Sequence, residues 1–416
     1  MPDGAGARSL DRLVTRRPTT LNDVTPNPFV KQYLMTAGPT PVPPAVSQAM
    51  AAPMLYHRAP AFVELYERVL SKLPKVFQTE NDVLVFAASG SGAMESAAAN
   101  LVRPGTPVLV AAAGKFGERW IELAEAYGGD LVRYEPGWGE RLDPAEFDRL
   151  LGENDGIEVA FATLSETSTG VVHDVQAIAE VCKRHDVILA VDAVSGLGAA
   201  ELRQDEWGID VVVAGSQKAL MCPPGLGFAS VSQRAADYAA QMPGGRYYFD
   251  WGKNLKAQRA SNSAFTPAVP LFLGLDIALD MILEEGLENV FARHDLLARA
   301  TRAGAQAIGL EIFGDADERS TVVTAVELGG RDSIIDGGKV PGALRKLGIT
   351  ANGGQNQLKG RILRIAHCGY FGAFDILTSL SGLEMALSQL GYEVEHGAGV
   401  GAAQRVFVEA GVAAAA

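Results

Sequence analysis

The chain has 416 residues, 48% of them hydrophobic and 20% charged, the composition of a soluble globular protein long enough for a large α/β domain with a smaller companion. A formal net charge of −13 argues against a nucleic acid or an acidic membrane as partner, because most of the surface would repel phosphate. No run of 18 apolar residues marks a membrane span, and three cysteines (Cys182, Cys222, Cys368) without a CxxC pair or a ligand-spaced histidine point away from a disulfide framework or a structural zinc and fit a reducing cytoplasm.

Residues 1–30 read as a polar, disordered leader, since Asp3 and Asp11 and the lack of an apolar face set its four arginines apart from a transit peptide. From there alternation begins. "DVLVFAAS" (82–89), "TPVLVAAA" (106–113), "GIEVAFATL" (156–164), "DVILAVDA" (186–193) and "GIDVVVAG" (208–215) are short, β-branched and apolar throughout, as strands buried on both faces are. Between them lie stretches of 3.6-residue periodicity, with N-caps expected at Asp143 and Asp174. Strand and helix alternating in this way predict a mostly parallel sheet covered by helices on both sides, over residues 31–290. The long helical stretch "PAVPLFLGLDIALDMILEEG" leads to a different pattern: a helix over 291–308, strands near 320–328, 348–352 and 361–366, and a closing helix over 373–391. Residues 291–392 read as a smaller α+β domain, and the Ala- and Gly-rich residues 393–416 as a low-complexity tail.

Ligands of open α/β sheets bind where strands end at their carboxyl edge, and four strand ends here are unusual. "ASGSGAME" offers Ser89, Gly90 and Ser91 at a helix start, which suits either a phosphate cradle or a plain capped turn; it matches neither the dinucleotide fingerprint nor a P-loop. "VDAVSGLG" puts Asp192 at the end of a greasy run, where a carboxylate needs a cation or a set of donors unless it merely caps the turn. "LSETSTGVVHD" crowds Glu166, Thr167, Ser168 and Thr169 at a third end, a hydroxyl-rich turn or a ligand contact. "GSQKALMCPPGLGF" sets Lys218 directly after a strand and ahead of Pro223, Pro224, Gly225 and Gly227, which hold a tight loop. Partial burial there lowers the ammonium's pKa, and a neutral amine can attack a carbonyl carbon.

One ligand suits all four groups. Pyridoxal phosphate has an aldehyde that forms a Schiff base with lysine, a phosphate, a phenolic oxygen and a ring nitrogen that becomes an electron sink beside a carboxylate. On "VDAVSGLGAAELRQDEWGIDVVVAGSQK" and "GSQKALMCPPGLGF", residues 33–392 resemble the class V aminotransferases of the fold-type I pyridoxal-phosphate enzymes, particularly the alanine:glyoxylate, serine:glyoxylate and serine:pyruvate group.

The resemblance implies a role for each position. Lys218 bonds the cofactor and, once freed, moves the substrate's α-proton; Asp192 keeps the ring nitrogen protonated; Thr167 bonds the phenolic side. Ser89, Gly90, Ser91 and Gln217 cradle the phosphate, Val194 lines the cofactor, and Phe116 of "GKFGERW" stacks on the ring where some relatives carry Trp. It also implies a homodimer in which Ser263 and Thr266 of "SNSAFTPAVP" reach the partner's phosphate, although several relatives have Tyr where Ser263 stands. Gly38 of "MTAGPTPVPP" lies over the substrate, and Arg364 of "KGRILRIAHCGY", set between Leu363 and Ile365, binds the α-carboxylate in place of a structural salt bridge. His57 and Arg58 of "LYHRAP" fall near the same segment without an assigned role.

The expected reaction is a ping-pong transamination from alanine or serine to glyoxylate or pyruvate. Three rival readings stand beside it. A 2-aminoethylphosphonate aminotransferase would use the same scaffold, a cysteine desulfurase would need Cys368 on a mobile loop, and a noncatalytic subunit would keep only the fold.

Overall fold

The computed structural model describes residues 31–242, 244–314, 319–329 and 336–411, so the expected leader over 1–30 lies outside the described residues. Seven strands form the central sheet: β1 (Val83–Phe86), β2 (Pro107–Ala111), β3 (Asp130–Tyr134), β4 (Val159–Thr163), β5 (Ile188–Asp192), β6 (Val211–Gly215) and β7 (Gly227–Val231). Their order is β1-β7-β6-β5-β4-β2-β3, with β7 antiparallel to both neighbours and the other pairs parallel. All five expected strands are present. β7 and the half-exposed β3 were not foreseen; β3 carries Asp130 and Arg133 on an edge, and β7 sits among glycines.

Successive residues of the central strands face opposite ways into two separate cores. Leu109, Ala160, Leu189, Val191 and Val212 join one cluster with the helix Pro60–Phe77, while Val108, Val159, Ile188, Ala190 and Val211 join another with Ala93, Trp120 and Trp251. Each buried valine or leucine contributes about 1.5–3 kcal/mol relative to exposure, so strands without a polar face are stable only with helices on both sides. Asp143 and Asp174 cap their helices as expected, accepting from Ala145 N and Ala177 N at 2.9 Å.

Register brings the site together. Asp192 stands opposite Thr163 on one side and Val213 on the other, so β4, β5 and β6 end along one edge. The loops that carry Glu166, Val194 and Lys218 all leave from that edge.

A second, antiparallel sheet is built from β8 (Val323–Glu327), β9 (Asn352–Gly353) and β10 (Ile362–Ala366), with β10 central and Arg364 paired to Ala325 and Asn352. The expected strand 348–352 is two shorter pieces, because Ile349–Thr350 pairs instead with Tyr33–Leu34. The start of the described chain is thereby stitched to the part that carries Arg364. Helices Leu287–Ala307 and Ala373–Gln389 cover this sheet.

The expected low-complexity tail, 393–416, needs correction. Ala398–Glu409 is a helix that buries Ala402, Ala403 and Phe407, the last two in a further core against the second sheet. Its start is held by Glu384, a buried carboxylate that accepts from Gly397 N and Gly399 N at 2.8 Å. No composition rule signals a cap supplied from another helix.

Candidate active site

Lys218 is 7% exposed. The loop after β6 closes on Ser216, whose hydroxyl donates to Pro223 O (2.7 Å) and accepts from Leu226 N (3.2 Å), so the Pro- and Gly-rich stretch is a tight knot around the lysine. Across it lies the segment 36–40. Lys218 Nζ donates to Ala37 O, Thr40 N to Gln217 O (3.0 Å) and Thr40 Oγ1 to Lys218 O (3.0 Å), while Ala37 N donates to Asn352 Oδ1 (2.9 Å). Gly38, at φ +144°, passes so close that a Cβ would overlap Lys218 Cε and Nζ. Burial holds the Lys218 ammonium below the usual lysine range, the direction that frees an amine lone pair.

Asp192 ends β5 and is 4% exposed. Its Oδ1 accepts from Val194 N at 2.8 Å, Oδ2 has no donor among the described residues, and burial pushes its carboxyl up to about 6. Val194 packs on Gly90, the first residue of the helix Gly90–Leu101, where the Ser89 side chain accepts from Gly92 N. Ser89 and Ser91 are exposed, and Gln217 Oε1 lies beside Gly215 as a buried acceptor without a partner among the described residues.

Phe116 opens the helix Lys115–Ala126 with its ring centroid 6.0 Å from Lys218 Nζ; Arg119 lies 5.1 Å from the same ring and is bonded to no carboxylate among the described residues. Thr167 is buried with its hydroxyl on Ser195 Oγ. Glu166, read from sequence only as part of a hydroxyl-rich turn, is wholly buried and bonded to the start of the Phe116 helix.

Arg364 is 6% exposed, and its fork holds two backbone carbonyls: Nε donates to Gly353 O (3.0 Å) and Nη1 to Thr167 O (3.1 Å). No carboxylate pairs with it among the described residues, and burial lowers its pKa to about 10. The salt-bridge alternative therefore has no partner, and one edge of the guanidinium remains for an anion.

Other expected positions lie apart. Ser263 and Thr266 line a crevice of about 20 Å³ with Ala87, Tyr248 and Phe265, and in this chain they bond none of Lys218, Asp192 or Arg364. His57 is half-buried against Tyr56, and Arg58 is exposed. Cys368 is fully buried after β10, with its thiol pushed up to about 11, and Gly369 abuts Lys218 O, so the thiol lacks the exposure that a desulfurase nucleophile needs.

Comparison with known proteins gives consistent results. The profile described as aminotransferase class-V matches residues 32–358. The "Soluble hydrogenase 42 kDa subunit" of Anabaena cylindrica is 41% identical over 91% of this chain and 99% of its own, and the serine–glyoxylate aminotransferase of Methylorubrum extorquens is 35% identical over 90% and 95%. The crystal structure of ureidoglycine-glyoxylate aminotransferase from Bacillus subtilis superimposes with a TM-score of 0.86 at 33% identity, covering 92% of this chain and 99% of that one.

Proposed function

We propose that this chain, which belongs to the class V aminotransferase family, moves an amino group from alanine or serine to glyoxylate or pyruvate in two successive half-reactions. The family's cofactor is pyridoxal phosphate, which when bound supplies an aldehyde carbon for the amine and a ring that takes up electrons from the substrate's Cα. The residues present fit that group: a buried amine, a buried carboxylate with one oxygen unbonded among the described residues, the Gln217 amide, whose Nε2 can donate to a phosphate, and a helix start flanked by two serines.

In this reading Lys218 holds the aldehyde end, Asp192 the ring nitrogen and Thr167 the phenolic edge. Phe116 covers the ring, Val194 flanks it, and Ser89, Gly90, Ser91 and Gln217 take the phosphate. Ser263 and Thr266 serve the site of a second copy of the chain, which makes the working unit a homodimer. Arg364 orients the donor through its carboxylate, and the neutral Lys218 amine then takes the proton from Cα.

One observation carries the choice of an α-amino acid: a buried guanidinium tethered by backbone carbonyls alone. Cations in such a setting are retained when an anion completes them. The test is a panel of amino donors, added singly to the purified yellow protein without acceptor. Alanine or serine should discharge the visible band in one stoichiometric step, and glyoxylate or pyruvate should restore it. A protein that responds to 2-aminoethylphosphonate and to no α-amino acid sinks the proposal.

A further inference from the structure

The helix that carries Phe116 has no cap of its own. Its N-cap residue is Gly114, and its first three amides are bound from another segment: Lys115 N donates to Ser168 Oγ (3.0 Å), Phe116 N to Glu166 Oε2 (3.0 Å) and Gly117 N to the same oxygen (2.9 Å). The other carboxylate oxygen, Oε1, accepts from Ser168 N (3.1 Å) and Ser168 Oγ (2.6 Å). Four donors therefore converge on one buried carboxylate, and the approach is close enough that a Cβ at Gly114 would lie 2.6 Å from Glu166 Cδ and from Ser168 Oγ.

Between Glu166 and Ser168 sits Thr167, whose carbonyl receives Arg364 Nη1. A single short segment thus touches the aromatic ring's helix, the buried hydroxyl and the arginine. Farther along the same helix, Trp120 Nε1 donates to Ala162 O (3.1 Å) and its ring stacks on Phe161 at 4.7 Å, so the body of the helix is fixed to the sheet independently of Glu166. Only the first turn depends on the carboxylate.

We propose that Glu166 is a positioning residue, whose carboxylate locks the Phe116 turn, Thr167 and Arg364 into one mutual arrangement; this rests on the transaminase reading above. Its acceptor count is what matters. A glutamine in its place can turn its oxygen toward Phe116 N and Gly117 N or toward Ser168 N, never toward both, so one group of buried N–H donors must face an NH₂. Negative charge at the helix start is lost at the same time.

The test is Glu166→Gln, read in three ways. In the protein stripped of cofactor, amide exchange at residues 115–118 should accelerate at least tenfold while Trp120 and the sheet stay protected. Affinity for pyridoxal phosphate should fall at least tenfold, and the visible circular dichroism of the bound cofactor should drop by more than half. In a double-mutant cycle with Phe116→Ala, the losses in kcat/KM should be strongly less than additive, because the carboxylate acts through the ring. Unchanged exchange at 116 and 117 overturns the proposal, and so does faster exchange with wild-type affinity and dichroism, which is what a purely structural cap would give. If Glu166→Gln does not fold, Glu166→Asp, which draws the carboxylate back by one methylene from Phe116 N and Gly117 N, is read in the same three ways, and the same outcomes decide. A wild-type protein that forms no dichroic band with the cofactor refutes the transaminase reading instead, while the exchange comparison still judges the cap.

Discussion

Replacing Arg364 by lysine keeps the charge and removes the fork. In the native protein Gly353 O and Thr167 O occupy Nε and Nη1, which aims the remaining edge of the guanidinium and fixes its plane. A lysine ammonium has no such tether, and it offers a carboxylate one point contact in place of two parallel bonds. Losing one hydrogen bond to a charged group costs about 1.5–3 kcal/mol, and freeing the side chain adds a further ~1 kcal/mol of ordering. A total near 3 kcal/mol corresponds to roughly a hundredfold in kcat/KM. Steady-state kinetics with alanine or serine should show this loss, most of it in KM. A simple primary amine without a carboxylate, reacting slowly with wild-type and variant alike, is the control and should be unaffected. A fall of less than about threefold for the amino acid, in a variant with normal cofactor binding, would refute the assignment of Arg364.

Other outcomes follow from burial and backbone geometry. Asp192→Asn should abolish most of the activity yet stabilise the cofactor-free protein. The native carboxyl is held near 6 against the ordinary 3.8 of an aspartate, so folded protein binds the extra proton between those values and loses stability as pH rises through that window. Above pH 6 the asparagine variant should be more stable by up to about 3 kcal/mol in urea unfolding, an advantage that vanishes near pH 4; no gain at pH 7.5 contradicts the burial argument. Gly38→Ala forces a side chain into φ +144° and onto Lys218 Nζ, at a cost of about 1–3 kcal/mol, and should leave the protein colourless after cofactor is added. Glu384→Ala should destabilise by about 2–4 kcal/mol and expose the amides of Ala398–Glu409 to exchange, with kcat unaltered; protection equal to wild type would show the cap to be dispensable.

The central strands were legible because both their faces are buried, which prints as unbroken apolar runs such as "VILAV" and "IDVVVAG". β3 and β7 escaped for opposite reasons: one alternates charge on an exposed edge, and the other is glycine-flanked where Gly227 passes against Ser89 O. The strand-end residues Asp192 and Lys218 were readable because a charge directly after such a run has few explanations. Glu166 and Glu384 were not. Each caps a helix distant in sequence, and local spacing holds no trace of a bond made across the fold. The same is true of Ala37, whose carbonyl meets Lys218 only through tertiary structure.

The stretch from Tyr33 to Thr40 hydrogen-bonds at one end along Ile349–Thr350 and at the other around Lys218, with Asn352 gripping its middle. It is a short tie-rod between the Ile349–Thr350 strand and the Lys218 loop. In the proposed reaction, a carboxylate held by Arg364 and the release of the Lys218 amine would be linked through this one thread of backbone, which bonds both the strand beside Arg364 and the lysine.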